Sequence, residues 1–283
     1  MNDNWLYEIS PKRKLIDLNF QEIWRYRDLL ILFVKRDITT VYKQTILGPL
    51  WFFIQPLFTS VIYTLVFNNI ASVSTGDVPN FLFNLTGITA WNYFNQCFTS
   101  TSNTFNQNAA LFGKVYFPRV IVPLSKVIAG LVKFGIQILI LIFFYIYYIY
   151  QGSSVAPNSN LILFPVYVLL MALMGLGFGM IISAMTTKYR DLTVLIGFAT
   201  SLLVYISAVP YPLSQVEAKM PDIAWIVRLN PLTQIIEGFR YMILDEGIFN
   251  LGSFLYTVGI SIMLFIIGLI IFNKTEKNFI DTV

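Results

Sequence analysis

Histidine is absent from the 283-residue sequence. That removes imidazole as a metal ligand and as a general base. Cysteine occurs once, at Cys97, so no intrachain disulfide forms; a lone thiol in an apolar stretch reads as a small core residue. Charge is scarce as well. Asp, Glu, Lys and Arg make up 12% of the chain, against about 25% in an ordinary soluble domain. Residues 134–187 carry no charged side chain, and no acid falls deep inside an apolar run. Carriers driven by protons use a carboxylate or histidine inside the membrane. Its absence argues against ion-driven transport; if the chain moves a cargo, the energy comes from elsewhere. The phosphate loop GxxxxGK[ST] is missing too. The nearest pair, Gly113–Lys114, is followed by Val115 and lacks the earlier glycine. HExxH, GxSxG and metal-spaced cysteines do not occur. The chain therefore reads as no enzyme, with no nucleotide site of its own.

What is present is apolar surface, 56% of the residues by count. The run that organises the chain begins after Lys43. From Gln44 through Gly76 there is no charge, with Pro49 and Pro56 near its start. A bilayer core about 30 Å thick needs about 20 apolar helical residues, and 46–67 supplies them. Further spans are expected at 81–112, 122–150, 161–185, 192–209 and 251–272. The fold class is thus all-α and polytopic. Gly175 and Gly179 in the fourth span have the small-xxx-small spacing of close helix approach. Residues 210–250 are too broken for one crossing and too apolar for a plain loop. They read as two short helices around Asn230–Pro231, re-entrant or interfacial, buried in protein or lining a water path.

Residues 18–34 read as an amphipathic helix at the membrane surface. Phe20, Ile23, Trp24, Ile31 and Val34 share a face, Trp24 and Tyr26 sit at headgroup depth, and Asn19 with Glu22 forms a capping pair. The alternative is a helix packed on protein. The chain divides into an N-terminal part with this helix (1–45), a transmembrane part (46–272) and a tail (273–283). No apolar stretch follows the basic cluster Pro11–Lys14 as a cleaved signal peptide requires. The tail is short, with no sugar-binding domain expected.

Basic residues set the orientation. Residues 1–45 hold eight of them, 113–126 and 186–191 add more, and the loops 68–80 and 151–160 have none. By the positive-inside rule both termini are cytoplasmic. Charged cytoplasmic groups then offer docking points for an energising partner: Glu22, Arg25 and Asp28, Lys114 to Arg119, and Lys188 to Asp191. The competing reading is a topogenic signal with no partner. The uncharged second span is rich in Asn, Gln, Ser and Thr, so it faces either other helices or a wet cavity.

Six stretches occur in order: KRDITTVYKQTILGPLWFFIQPLF, LTGITAWNYFNQ, VYFPRVIVPLSK, KYRDL, SAVPYPL and RLNPLTQIIEGFRYMIL. Together they resemble the membrane subunits of bacterial ABC exporters for polysaccharides, the O-antigen, capsule and teichoic-acid permeases. The resemblance covers about 20–280. It implies an interfacial helix, six spans, and an external pair of gate helices before the last. It implies a homodimer in the bacterial inner membrane, paired with two copies of a separate ABC ATPase that binds ATP and magnesium. The cargo would be a lipid-linked polysaccharide, a long glycan on an undecaprenyl-type carrier threaded reducing end first. No nucleic acid is involved. By the same resemblance Lys114 to Val122, with Phe117, Pro118 and Arg119, couples to the ATPase. Lys188, Tyr189, Arg190 and Asp191 form a second contact. Pro210, Tyr211, Pro212, Asn230, Pro231 and Arg240 belong to the external gate. A glycan conduit needs aromatic faces and polar groups with little fixed charge. Trp91, Asn92, Tyr93, Phe94, Phe98 and Phe105 fit that role; core and interfacial packing is the equal alternative. A drug or small-lipid permease is the second class, with a more uniformly apolar cavity, and a membrane scaffold the third.

Overall fold

The computed structural model describes residues 20–43, 48–115, 117–153, 155–189, 191–247 and 249–279. The Pro11–Lys14 cluster, Asn19 of the capping pair and Arg190 lie outside them. Among the described residues the secondary structure is helical throughout.

The surface segment is two helices, α1 (Phe20–Arg25) and α2 (Arg27–Lys43), broken at Tyr26. Trp24 is 70% and Ile31 61% exposed, while Phe33 alone of the described apolar residues here is fully buried. An apolar face left open beside a charged one is what a helix lying in headgroups presents. The helix runs nine residues beyond the expected end at Val34. Nothing in Lys35–Lys43 breaks it, and the Thr39 and Thr40 hydroxyls donate back to the Lys35 and Arg36 carbonyls.

A 3-10 turn at Gly48–Leu50 leads into α3 (Trp51–Tyr63), which passes into a π-helical stretch, Thr64–Ile70. Then follow α4 (Asn80–Ser102), α5 (Thr104–Phe112), α6 (Ile121–Tyr150) and α7 (Phe164–Thr186). The central helix is α4, with 16 of its 23 residues buried. It packs on α7 at two glycines. A Cβ at Gly175 would come within 2.5 Å of Cys97 Cβ, and one at Gly179 within 2.5 Å of Thr101 Cβ. The backbones therefore touch, as the spacing predicts. On the opposite side of α7, a Cβ at Gly177 would lie 2.7 Å from the Leu264 backbone. That residue belongs to α12 (Leu251–Phe279), so α7 is pressed between α4 and α12.

Among the described residues four helical segments are long and apolar enough to cross a membrane: Trp51–Ile70, Ile121–Tyr150, Ser159–Thr186 and Leu251–Glu276. Six were expected. The second expected span, α4, has the length but is too polar. The fifth, α8 (Leu192–Ile206), is apolar but has 15 residues, about 22 Å of helix. It stops because the chain turns at Ser207–Ala208, where Ala208 takes φ +53°.

The broken segment holds three helices, not two: α9 (Leu213–Lys219), α10 (Pro221–Leu229) and α11 (Pro231–Leu244). The expected break at Asn230–Pro231 is present. A second falls at Met220–Pro221: Met220 leaves helical geometry, with φ −139° and ψ 61°, and Pro221 is the first residue of a new helix.

Candidate functional site

The external-gate residues gather around the turn that ends α8. Asn230 caps α11: its side-chain oxygen accepts from Leu232 N–H at 3.0 Å, and its Nδ2 donates to Ser207 Oγ at 3.0 Å. Arg240, near the other end of α11, is fully buried. Its guanidinium donates to Ala208 O at 2.9 Å, to Val209 O, and to Glu237 Oε1 at 2.9 Å, and lies 3.7 Å from the centre of the Phe83 ring. The carbonyls it takes up are among those that follow α8 without helical partners. Gly87 makes the seat, since a Cβ there would collide with Arg240 Nη2 and sit 3.0 Å from Val209 O. Tyr211 hydroxyl donates to Tyr205 O, and Pro210 and Pro212 are buried in the same turn. Pro231, half-buried, is the first residue of α11. All six therefore belong to one clasp joining α11, α4 and the 206–212 turn.

Glu237, Phe83 and Gly87 belong to that clasp and were not singled out from sequence. The signal for Glu237 was available: an acid three residues before an arginine on an otherwise apolar helix face. Gly87 had none, because a glycine that seats a distant arginine looks like any other helical glycine.

Beside the clasp three loops meet. Asn158 N–H donates to Met242 O at 3.0 Å, and its side-chain amide donates to Asp245. Glu246 lies against Gly76, and burial together with nearby Asp77 holds its carboxyl above the usual carboxylate range. The loops 68–80 and 151–160 and the end of α11 thus share one end of the bundle.

The basic groups mark the other end. Arg119 Nη1 donates to Glu276 O at 2.8 Å, joining the break before α6 to the close of α12. Only 5% exposed, Arg119 also lies over the Phe112 ring. Burial lowers its pKa, and the Glu276 carboxylate works against that shift. Phe117 is buried between Phe33 of α2 and Phe112. Lys114 is exposed and Pro118 half-buried. Lys188, Tyr189 and Asp191 are exposed just past α7. On α1 and α2, Asp28 is exposed beside Arg27, Arg25 is exposed and Glu22 half-buried. Arg119 and Phe117 therefore brace the surface from beneath, while Lys114, Lys188, Tyr189 and Asp191 form its outer face.

The six conduit residues lie on α4 and α5, mostly inward. Tyr93 packs on Phe134 at 4.8 Å, Phe94 stacks on Phe98 at 6.0 Å, and Trp91 meets Phe94 at 5.6 Å between ring centres. Phe105 stacks on Phe272 at 4.6 Å, and its N–H donates to Ser183 Oγ at 3.3 Å. These rings fill space between helices of the chain. Asn92 alone of the six is half-exposed; Asn95, Gln96, Thr99 and Ser100 are half-exposed with it.

A family model described as ABC-2 type transporter matches residues 28–244. The chain belongs to that family. The match runs from the surface helix α2 to the last residue of α11, so surface helix and clasp both fall within the ABC-2 region. Relatives extend further. An O-antigen export system permease protein RfbA of Klebsiella pneumoniae is 30% identical over 257 residues, 90% of this chain and 94% of its own length. One from Myxococcus xanthus with the same name is 24% identical over 263 residues, 93% of this chain and 98% of its own. Among the described residues no cluster of His, Cys, Asp or Glu is placed to hold a metal.

Proposed function

We propose that this ABC-2 type chain is the permease subunit of an ATP-driven exporter that moves a lipid-linked polysaccharide from the cytoplasm across the inner membrane. The observation that carries this reading is 30% identity, nearly end to end, with a permease named for O-antigen export. The α4 helix supports it. An uncharged crossing rich in amides and hydroxyls suits a neutral, hydroxyl-bearing cargo better than a drug. The half-exposed row Asn92, Asn95, Gln96, Thr99 and Ser100 forms the polar wall, with Trp91, Tyr93, Phe94, Phe98 and Phe105 packed behind it.

In this reading α4 and α8 complete six crossings. Neighbouring helices shield α4, and the 207–210 turn carries α8 to the outer interface. Two copies pair, and the exposed apolar face of α8, with Val194 and Phe198, serves that contact. A separate ATPase binds ATP and magnesium and docks on Lys114, Lys188, Tyr189 and Asp191. Both termini are cytoplasmic, and α9 to α11 form the outer gate.

Deleting the gene and analysing surface glycan alongside lipid-linked intermediates tests the function. Loss of surface polymer with accumulation of its lipid-linked form inside the cell is expected. Unchanged surface polymer overturns the proposal.

A further inference from the structure

A cavity of about 440 Å³ opens among α2, α3, α4, α5 and α6. Its charge is lopsided. Arg36, Lys126 and Lys133 line it against a single carboxylate, Asp37. Asp37 is already engaged twice, its Oδ1 2.9 Å from Arg36 Nη2 and its Oδ2 3.1 Å from Lys126 Nζ. Lys133 is left over. Its ammonium lies 5.4 Å from the centre of the Phe52 ring, and no carboxylate among the described residues pairs with it. Three cations against one anion leave the cavity at +2.

The position of Lys133 sharpens the problem. It is the thirteenth residue of a 30-residue helix, some 45 Å long against a hydrocarbon core of about 30 Å. If Tyr150, 92% exposed, marks the far rim, about 20 residues back places the near rim close to Leu131. Lys133 then lies just within the apolar layer. A cation there without an acid has lost hydration and gained only a ring face. Lys126, two turns earlier, points the same way, and Gly130 lies on the cavity wall between them. Gln107 and Asn108 add amides on the cavity wall. Beside it α3 shows Trp51, Phe58 and Ile62 exposed at one-face spacing, an apolar track on which a hydrocarbon chain can lie.

We propose that this cavity binds the phosphate head group of a lipid, with Lys133 as its main cation and Arg36 and Lys126 in support. The phosphate supplies the missing negative charge, the amides meet its ester or sugar oxygens, and the lipid tail runs along α3. The site stands on its own charge balance; that its lipid is the carrier of the exported polymer rests on the export reading. An ordinary anionic phospholipid offers the same group.

The test uses the full chain purified in detergent and titrated by native mass spectrometry. The probes are a polyprenyl diphosphate, the matching polyprenol and phosphatidylglycerol. The native protein is expected to take the diphosphate at least tenfold more tightly than the polyprenol. Lys133→Gln erases that preference, Lys133→Arg keeps it, and Lys274→Gln, at the exposed end of α12, leaves it alone. Retained binding by Lys133→Arg shows that the fold tolerates change at this position. Competition by phosphatidylglycerol at equal concentration assigns the site to membrane phospholipid; its failure to compete assigns it to the polyprenyl carrier, and both uphold a phosphate site. Equal binding of diphosphate and polyprenol, or an unaltered preference in Lys133→Gln, overturns the proposal. The gene deletion reads export separately, so the site can fail while the transport reading stands.

Discussion

A guanidinium with no access to solvent has to recover its lost hydration from fixed groups. Arg240 does so with two carbonyls at the end of α8 and with Glu237. Removing one member of such a pair strands the other, at a cost of about 3–5 kcal/mol, whereas replacing both with apolar side chains is often neutral. Arg240→Met and Glu237→Leu should therefore each lower the thermal stability of the purified permease markedly, and the double variant should recover much of the loss. A thermal-shift cycle measures this; additive single losses would mean the two groups act independently. At this scale the sequence was informative about identity but not about partners. Asn230, Pro231 and Arg240 were legible as members of a broken, charged external segment. That Arg240 reaches across to α4 was not, because the pairing spans more than 150 residues and leaves no local pattern at Phe83 or Gly87.

Helices here are held by how closely their backbones approach. Gly175 and Gly179 admit α4, and Gly177 with Gly268 admits α12. Valine at Gly175 or Gly179 forces its methyls into Cys97 or Thr101, so little monodisperse protein is expected on size exclusion. Gly135 and Gly197 are controls, since an added Cβ meets nothing within 4 Å at either. Alanine there should be tolerated, and gains up to about 1 kcal/mol of helix propensity. Equal yields for both sets of variants would remove the close-packing argument. The α4–α7 approach was readable from spacing alone. The end of α8 was not: the apolar run continues through Val209 while the backbone turns at Ser207, and hydropathy does not register a change of φ. The length of the surface helix was misjudged for a related reason. The shared apolar face named in the sequence ends at Val34, yet nothing in Lys35–Lys43 opposes helical geometry.

Across the whole molecule the two ends of the bundle differ in kind. One gathers Arg119, Glu276 and the exposed Lys114 and Lys188; the other gathers the clasp and the loops around Asn158 and Glu246. Cys97, fully buried, is silent to thiol reagents, so single introduced cysteines report sidedness cleanly. Ala156→Cys should react with an impermeant maleimide in intact cells, and Lys274→Cys only after permeabilisation. The reverse pattern would invert the orientation taken from the basic residues. That orientation rests on charge distribution, which a sequence displays in full; the polarity of α4 was equally visible. The direction each polar group faces was not, because burial depends on neighbours far along the chain.

The π-helical stretch after α3 is stitched to α4 by amides. Asn84 Nδ2 donates to Thr64 Oγ1 at 3.1 Å and to Asn68 Oδ1 at 2.8 Å, while Asn68 Nδ2 donates to Val73 O at 2.8 Å. The π-helical end of the first candidate span and the first turns of α4 are thereby lashed together. Gly48, with φ +44°, begins the turn at the foot of the first. Pulling that helix away from α4 would strip the Asn84 amide of both its acceptors, so the two are expected to tilt as one body.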